Sequence, residues 1–489
     1  MRTKAKYFLV VLMVLFQFSC NSWLELEPPS SLVREEFWKT KEDVEAVLMA
    51  AYSSFAGLDK TLFLMGELRA DMLDGEQNQS WNERQLMENN IYPDNGITSW
   101  SNFYKIINYT NEVIANAPKV QEIDDTFTDF QRQGFEAEAY FLRSLAYFYL
   151  VRLYKEVPLI LEPSETDAAD FYVSKSNEDE VLNQIVGDLE TNLPFAPSSS
   201  FETIGENKGR ASKAAFNALL ADIALWRFNY EKVIGHVNEI QKDPEIELMP
   251  STRWFEIYFP GNSLESIFEF QFNSQLNQAN SMYGLTNRNS NQYIPSQKAV
   301  EMFAFEFASE LVRGEESTIK KEGEDEFIIW KYVGMAPDGQ SVRAGIFQSS
   351  ANWIVYRLAD VLLMKAEALS QLGRYNEARA IIEDIRERAD VPMVALANNP
   401  VAFEDAILNE RALELAYEGK RWFDLLRMGR RNNFARKDKL IEIIISNVPS
   451  TQKRILAAKL TNPLGWYLPI NEGEIEDNKN LVQNPYYDF

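Results

Sequence analysis

A mainly α fold, an array of paired helices with a few short strands and long loops, is what this 489-residue sequence predicts. Three observations carry the expectation. Long stretches place apolar residues at helical spacing, as in Val44, Val47, Leu48 and Ala51. Two distant segments repeat one set of intervals: Ala366, Gly373, Tyr375, Ala378 and Ile382 match Ala221, Phe228, Tyr230, Val233 and Val237. Small residues on one helix let the next approach, and the tyrosine locks the turn, which is tetratricopeptide-like spacing. Strand-like runs are confined to SIFEFQF (266–272) and FIIWKYV (327–333).

The elements follow in order. Residues 1–19 have a basic start at Arg2, Lys4 and Lys6, an apolar run over 7–18, and Ser19 before Cys20. That is the layout of a secretory signal, and the run is shorter than the about 20 apolar residues a membrane span needs. A cysteine directly after the small residue suggests a bacterial lipoprotein cut before Cys20, whose thiol carries the lipid. Gln17 stands where such signals favour leucine. Residues 20–34, with Pro28 and Pro29, read as a tether. The body then divides into an amino-terminal part (35–250) and a carboxy-terminal part (251–489) that pack as one unit.

Helices are expected over 35–56, 99–117, 136–154, 208–226 and 230–241. Asn177 and Glu180 form a capping box ahead of a further helix. Residues 71–98 are polar and rich in Asn, Gly and Pro, and read as one long loop. After the strand-bearing stretch, helices resume at Ile354 as a second pair, and 404–430 reads as a single long helix.

Composition narrows the function. Lys and Arg number 49 against 73 Asp and Glu, a formal charge of −24, which repels nucleic acid and leaves neutral or cationic ligands. One cysteine excludes a disulfide framework and cysteine-cluster metal sites. The one histidine, His236, lies in a helix-like stretch and reads as structural. No D-x-[DN]-x-[DN]-G calcium loop is present, and no metal or cofactor is expected.

Several blocks resemble a known family. YRLADVLLMKAEALSQLGRYNEARAIIEDIRERA (356–389), NERALELAYEGKRWFDLLRMGR (409–430) and WYLPINEGEIEDNKNLVQNPYY (466–487) are similar to signature blocks of the SusD/RagB family. These are nutrient-binding outer-membrane lipoproteins of Bacteroidota. FLRSLAYFYLVRLYKEVPLI (141–160) and GRASKAAFNALLADIALWRFNYEKV (209–233) resemble the amino-terminal blocks, and IPSQKAVEMFAFE (294–306) with Arg313 the block between. Lys155-Glu156, Lys420 and Tyr486 depart from the usual Gly-Asp, His and Gly at their positions. The resemblance implies a SusD-like body of tetratricopeptide-like pairs, with loops and short strands forming a ligand face. It implies a lid on a SusC-like TonB-dependent transporter that captures oligosaccharides, held at the outer membrane by its lipid. Binding rather than catalysis would be its task.

The ligand face is read from residue types. A pyranose lays its C–H face on an aromatic ring, while its hydroxyls need planar amides or charges. Trp81, flanked by Asn78, Gln79, Asn82 and Arg84, is the leading platform. Tyr283 and Tyr293, which bracket Arg288, Asn289 and Asn291, form a second candidate group, and Trp330 a third. Trp100 opens an apolar helix and reads as packing. GKRWFDLLRMG looks like a site, but Arg421, Asp424 and Arg427 fall at helical spacing and read as an ion-paired helix face, as do Glu410, Arg411 and Glu414. Two alternatives remain: a peptide-binding RagB-like protein, and a glycoside hydrolase with paired carboxylates.

Overall fold

The computed structural model describes residues 37–488 apart from 77, 165–171, 199–200, 288–291, 306–311, 324–325, 337–340, 344–348, 394 and 447. The signal, Cys20 and the tether lie outside the described residues, as do Arg288, Asn289 and Asn291.

The amino-terminal helices are α1 (Lys41–Ala56), α2 (Asp59–Glu67), α3 (Trp81–Met87), α4 (Ser101–Gln121), α5 (Asp129–Tyr154), α6 (Glu178–Asn192), α7 (Ile204–Gly209), α8 (Lys213–Trp226) and α9 (Tyr230–Ile240). Then come α10 (Met282–Thr286), α11 (Gln297–Phe305), α12 (Leu358–Gln371), α13 (Tyr375–Arg388), α14 (Pro400–Glu414), α15 (Arg421–Phe434), α16 (Lys437–Ser446), α17 (Ser450–Leu460) and α18 (Glu472–Asp477). The strands are β1 (Leu73–Gly75), β2 (Val157–Pro158), β3 (Lys175–Ser176), β4 (Ser266–Phe270), β5 (Tyr293–Pro295), β6 (Ile319–Lys321), β7 (Phe327–Ile329) and β8 (Trp353–Arg357). They pair antiparallel as β1–β5, β2–β3, β4–β8 and β6–β7.

The chain is mainly helical, and its helices pack as neighbours in sequence: α4 on α5, α5 on α6, α8 on α9 and α12 on α13. Helix α9 also meets α12, which joins the two halves. One apolar core runs from Val44 to Tyr487. Every residue from 141 to 154 is buried, because this end of α5 has no polar face and is covered on all sides. The repeated spacing corresponds to two equivalent hairpins. Phe228 and Gly373 take φ of +59° and +74° at matching positions. The N–H of Asn229 donates to the Ala224 carbonyl at 2.8 Å, and that of Arg374 to Leu369 at 2.9 Å, so both helices close on the same left-handed turn. Lys155 ends α5 at φ +70°, where the family's glycine would be unstrained.

The expected long loop over 71–98 instead contains β1 and α3. Ser80 and Glu83 form a reciprocal capping box that starts α3, a signature present in SWNE that the surrounding Asn and Gly mask. Residues 353–357 are a strand paired with β4, so helix resumes at Leu358 and not at Ile354. The single helix expected over 404–430 is broken between α14 and α15, with Tyr417 at φ +63° and Gly419 at φ +70°. Buried Glu67 holds that break open: its Oε1 accepts the N–H groups of Gly419 and Lys420 at 2.8 and 3.2 Å. Gly66 lies flat on Gly419, and a Cβ there would sit 2.1 Å from the Gly419 carbonyl oxygen.

A buried ionic network surrounds the end of α14. Arg357 reaches Glu265 at 2.5 Å, Glu414 at 2.7 Å and Glu418 at 2.9 Å. Arg313 contacts Glu410 and Glu414 at 2.7 and 2.9 Å, Arg386 contacts Glu410 at 2.8 Å, and Arg388 contacts Glu265 and Glu414. Arg357 also donates to the Glu414 carbonyl at 2.7 Å, and Lys331 to the Glu414 and Ala416 carbonyls at 3.1 and 3.0 Å. These cations satisfy the carbonyls that the helix break leaves without partners. Burial alone would push the Glu414 carboxyl up, but Arg388, Arg357 and Arg313 outweigh it and hold it well below the usual range. Arg411 pairs with Asp424 at 2.8 Å, and Arg427 with Asp424 at 2.9 Å, as an ion-paired helix requires. Arg421 departs from that expectation: it turns away to Asp71, with bonds of 2.7 and 2.9 Å. His236 sits 2.9 Å from the Asn217 side-chain oxygen, and burial lowers its pKa, in keeping with a structural role.

Two outcomes follow from these charges. Removing one partner of a buried pair typically costs about 3–5 kcal/mol, so Arg357→Met should lower the urea midpoint sharply; an unchanged midpoint would contradict the network's role. Burial pushes Glu67 from its ordinary 4.5 up to about 8. A raised carboxyl adds stability that is present below pH 4.5 and lost as pH climbs through 8. Glu67→Gln should therefore gain in melting temperature over wild type as pH rises across that window.

Candidate functional site

Helix α3 carries the leading candidate. Its core anchor is Leu86, fully buried, and its first residue is Trp81, whose side chain is 68% exposed and has no aromatic partner among the described residues. The helix is fixed from several sides. Lys60 lies 2.7 Å from Glu83. Burial would push Glu83 up, but Lys60 and the Ser80 N–H hold it below the usual carboxylate range. The Asn95 amide donates to the Gln85 side chain at 2.9 Å and to the Asn82 carbonyl at 3.0 Å, which stitches the following loop to α3. An exposed indole therefore stands on a rigid base.

A cleft opens on each side of this helix. The larger, of about 640 Å³, is walled by Gln79, Arg84, Met87 and Asn90 on one side and by α16–α17 residues Val448, Gln452 and Lys459 on the other. Lys459 donates to Asn90 at 2.7 Å and ties the two walls together. The smaller, of about 320 Å³, is lined by Lys60, Thr61, Asn82, Gly96, Ser99 and Asn102. Both fall in the size range of ligand clefts. Gly75 lies at the edge of the larger one, and a Cβ there would displace the end of the Gln79 side chain, 2.1 Å away.

The other candidates separate. Asn78 and Arg84 are exposed, and Arg84 lines the larger cleft. Tyr283 is half-buried on α10, whose start is held near Lys60 by Ser281 donating to Asp59 at 2.5 and 3.0 Å. Tyr293 is not on the surface. Its ring is fully buried and packed edge-on against Phe63 with centroids 5.9 Å apart, from β5, which pairs with β1. Burial first, and the nearby Glu83 carboxylate second, raise its phenol far above the usual range. Trp330 is likewise core at 6% exposure, with Lys320 4.3 Å above its ring and the Gly334 backbone flush against the indole. Neither ring presents a face to a ligand. Trp100 is buried, as expected for packing.

Lys60, Asn102, Gln452 and Lys459 were not singled out from the sequence. Lys459 meets Asn90 across 369 residues, a separation that no local pattern signals.

The SusD family model matches residues 317–487, and a model described as "Starch-binding associating with outer membrane" matches residues 22–225. The chain belongs to the SusD/RagB family. Among curated SusD-like relatives, SusD-like protein P38 of Formosa agariphila is 27% identical over 98% of each chain. The fold matches a SusD superfamily protein from Bacteroides vulgatus with a TM-score of 0.77 at 20% identity, covering 92% of this chain and 100% of that one. A structure described as "Laminarin binding SusD-like protein" matches with a TM-score of 0.72 at 21% identity, over 92% of this chain and 100% of that one. The paired helices of this SusD-like chain form the scaffold, and α3 with its two clefts lies where the short strands and loops gather. Among the described residues no helix is long and apolar enough to cross a membrane, and no cluster of three His, Cys, Asp or Glu side chains could hold a metal ion.

Proposed function

We propose that this protein is a cell-surface lipoprotein that captures oligosaccharides and delivers them to a SusC-like TonB-dependent transporter. The exposed Trp81 indole at the start of α3, a helix whose other residues line a cleft on each side, carries the reading. An indole offers a broad apolar face with little conformational entropy to lose, which suits the C–H face of a sugar ring. Gln79 and Arg84 in the larger cleft, and Asn82 and Asn102 in the smaller, supply amide and guanidinium groups for hydroxyls. Exposed Asn78, half-buried Tyr283, and Arg288 and Asn291, which lie outside the described residues, are the further candidate contacts. The laminarin-binding relative and the starch-binding family description favour a glycan over a peptide. Anchoring through Cys20 at the outer membrane is supported by the signal-like start and by that description's reference to the outer membrane. Acyl chains there would contribute about 0.8 kcal/mol per buried CH₂.

Trp81→Ala removes a ring that packs against little. Its melting temperature should stay at the wild-type value, while calorimetry shows at least a tenfold loss of affinity, about 1.4 kcal/mol, for the bound oligosaccharide. Equal affinity would remove Trp81 from the site, and retention of peptides instead of glycans would change the ligand class. Cys20→Ser should move the protein from the membrane pellet to the soluble fraction; a pelleted variant would refute the anchor.

A further inference from the structure

The larger cleft beside α3 does not end at β1. Asp74 and Glu76 line it, and the same two residues line a further cleft of about 430 Å³. That third cleft is walled by Ile294 and Pro295 of β5, by Gln297 and Val300 of α11, and by Phe327 and Ile328 of β7. Strand β1 pairs with β5, Asp74 opposite Ile294, so a single strand separates the two spaces. Neighbouring strands lie about 4.8 Å apart, less than the width of a sugar ring bearing its hydroxyls. A ligand chain filling the first cleft, beside the helix that carries Trp81, can cross that ridge without leaving the surface.

Charge is unevenly spread along this path. Asp74, Glu76 and Glu88 face Arg84 and Lys459 in the larger cleft. Beyond the ridge, Glu322 and Glu326 join Asp74 and Glu76, and no basic side chain lines that cleft among the described residues except where Lys298 begins the neighbouring apolar groove. Concave walls of low dielectric focus such a field and raise the local concentration of cations while repelling anions.

We propose that the two clefts form one trough that takes an extended glycan of uncharged or amine-bearing sugars and rejects chains carrying carboxylate or sulfate on each unit. The proposal rests on the glycan-binding reading above and specifies its ligand class. Gln297, Glu76 and Glu326 are the residues that set length and charge preference. All three are solvent-accessible, so substituting them leaves the core intact.

The test is calorimetry on the purified protein with trimers and hexamers of laminarin, chitosan and alginate. A laminarin or chitosan hexamer should bind about tenfold tighter than its trimer, about 1.4 kcal/mol of added contact, and the alginate hexamer at least about tenfold weaker than the best hexamer. Gln297→Trp, which fills the third cleft, should erase the advantage of the hexamer and leave the trimer unchanged. Glu76→Lys combined with Glu326→Lys should admit the alginate hexamer. Alginate binding as tightly as the others to the wild type, and lost in Trp81→Ala, would overturn the charge preference while leaving the glycan reading standing. A hexamer advantage that survives Gln297→Trp would overturn the trough. Absence of binding by every glycan would overturn the glycan reading and this inference with it.

Discussion

The charge cluster at Glu414 is the constraint on which the rest of the molecule depends. Five cationic side chains converge on carboxylates in a buried region, and they do so because α14 stops there. A helix end buried without partners is costly, since its last carbonyls lose hydrogen bonds they would have kept in water. Arg357 and Lys331 supply those bonds and at once neutralise Glu414 and Glu418. The price of desolvating so many charges is balanced only when all are present, which makes the cluster a register pin more than a source of stability.

That pin reaches the site by a short route. After the break, α15 begins with Arg421, which clamps Asp71 by two bonds. Lys298 holds the same carboxylate from α11, at 2.5 Å. Burial would raise Asp71, yet Arg421 and Lys298 bring it down to about 2, so the clamp stays charged at any physiological pH. Asp71 is two residues before β1, whose edge borders the larger cleft, and Ser296 bonds the Asp71 and Met72 carbonyls from the far side. The helical scaffold thus fixes the strand that borders the larger cleft. A rigid base under an exposed Trp81 means that little order need be gained on binding.

How much of this was legible depended on the range of the interaction. The hairpins of α8–α9 and α12–α13 announce themselves because their packing is local: the same small and aromatic residues recur at the same intervals. The exposure of Trp81 was legible because a large aromatic among Asn, Gln and Arg is out of place in a spacer. Helix α3 beneath it was also written locally, in Ser80 and Glu83, though the polar composition masked it. Other features rest on long-range partners. The α14–α15 break occurs in a stretch with unbroken helical periodicity, and what interrupts it is Glu67, more than 350 residues earlier in the chain. Tyr293 and Trp330 look like ligand aromatics in a polar neighbourhood, but strand pairing and the Gly334 backbone cover them. The α16–α17 wall of the larger cleft carries no signal of its own, since its residues acquire a role only when folded against Asn90 and Arg84.

The central claim is that sugar is held on the α3 surface. A crystal structure of the protein with a bound oligosaccharide tests it most directly. The account predicts one pyranose ring stacked on the Trp81 indole, with hydroxyls bonded to Gln79, Asn82 or Arg84. A sugar bound elsewhere, with both clefts beside α3 filled only by solvent, would contradict it.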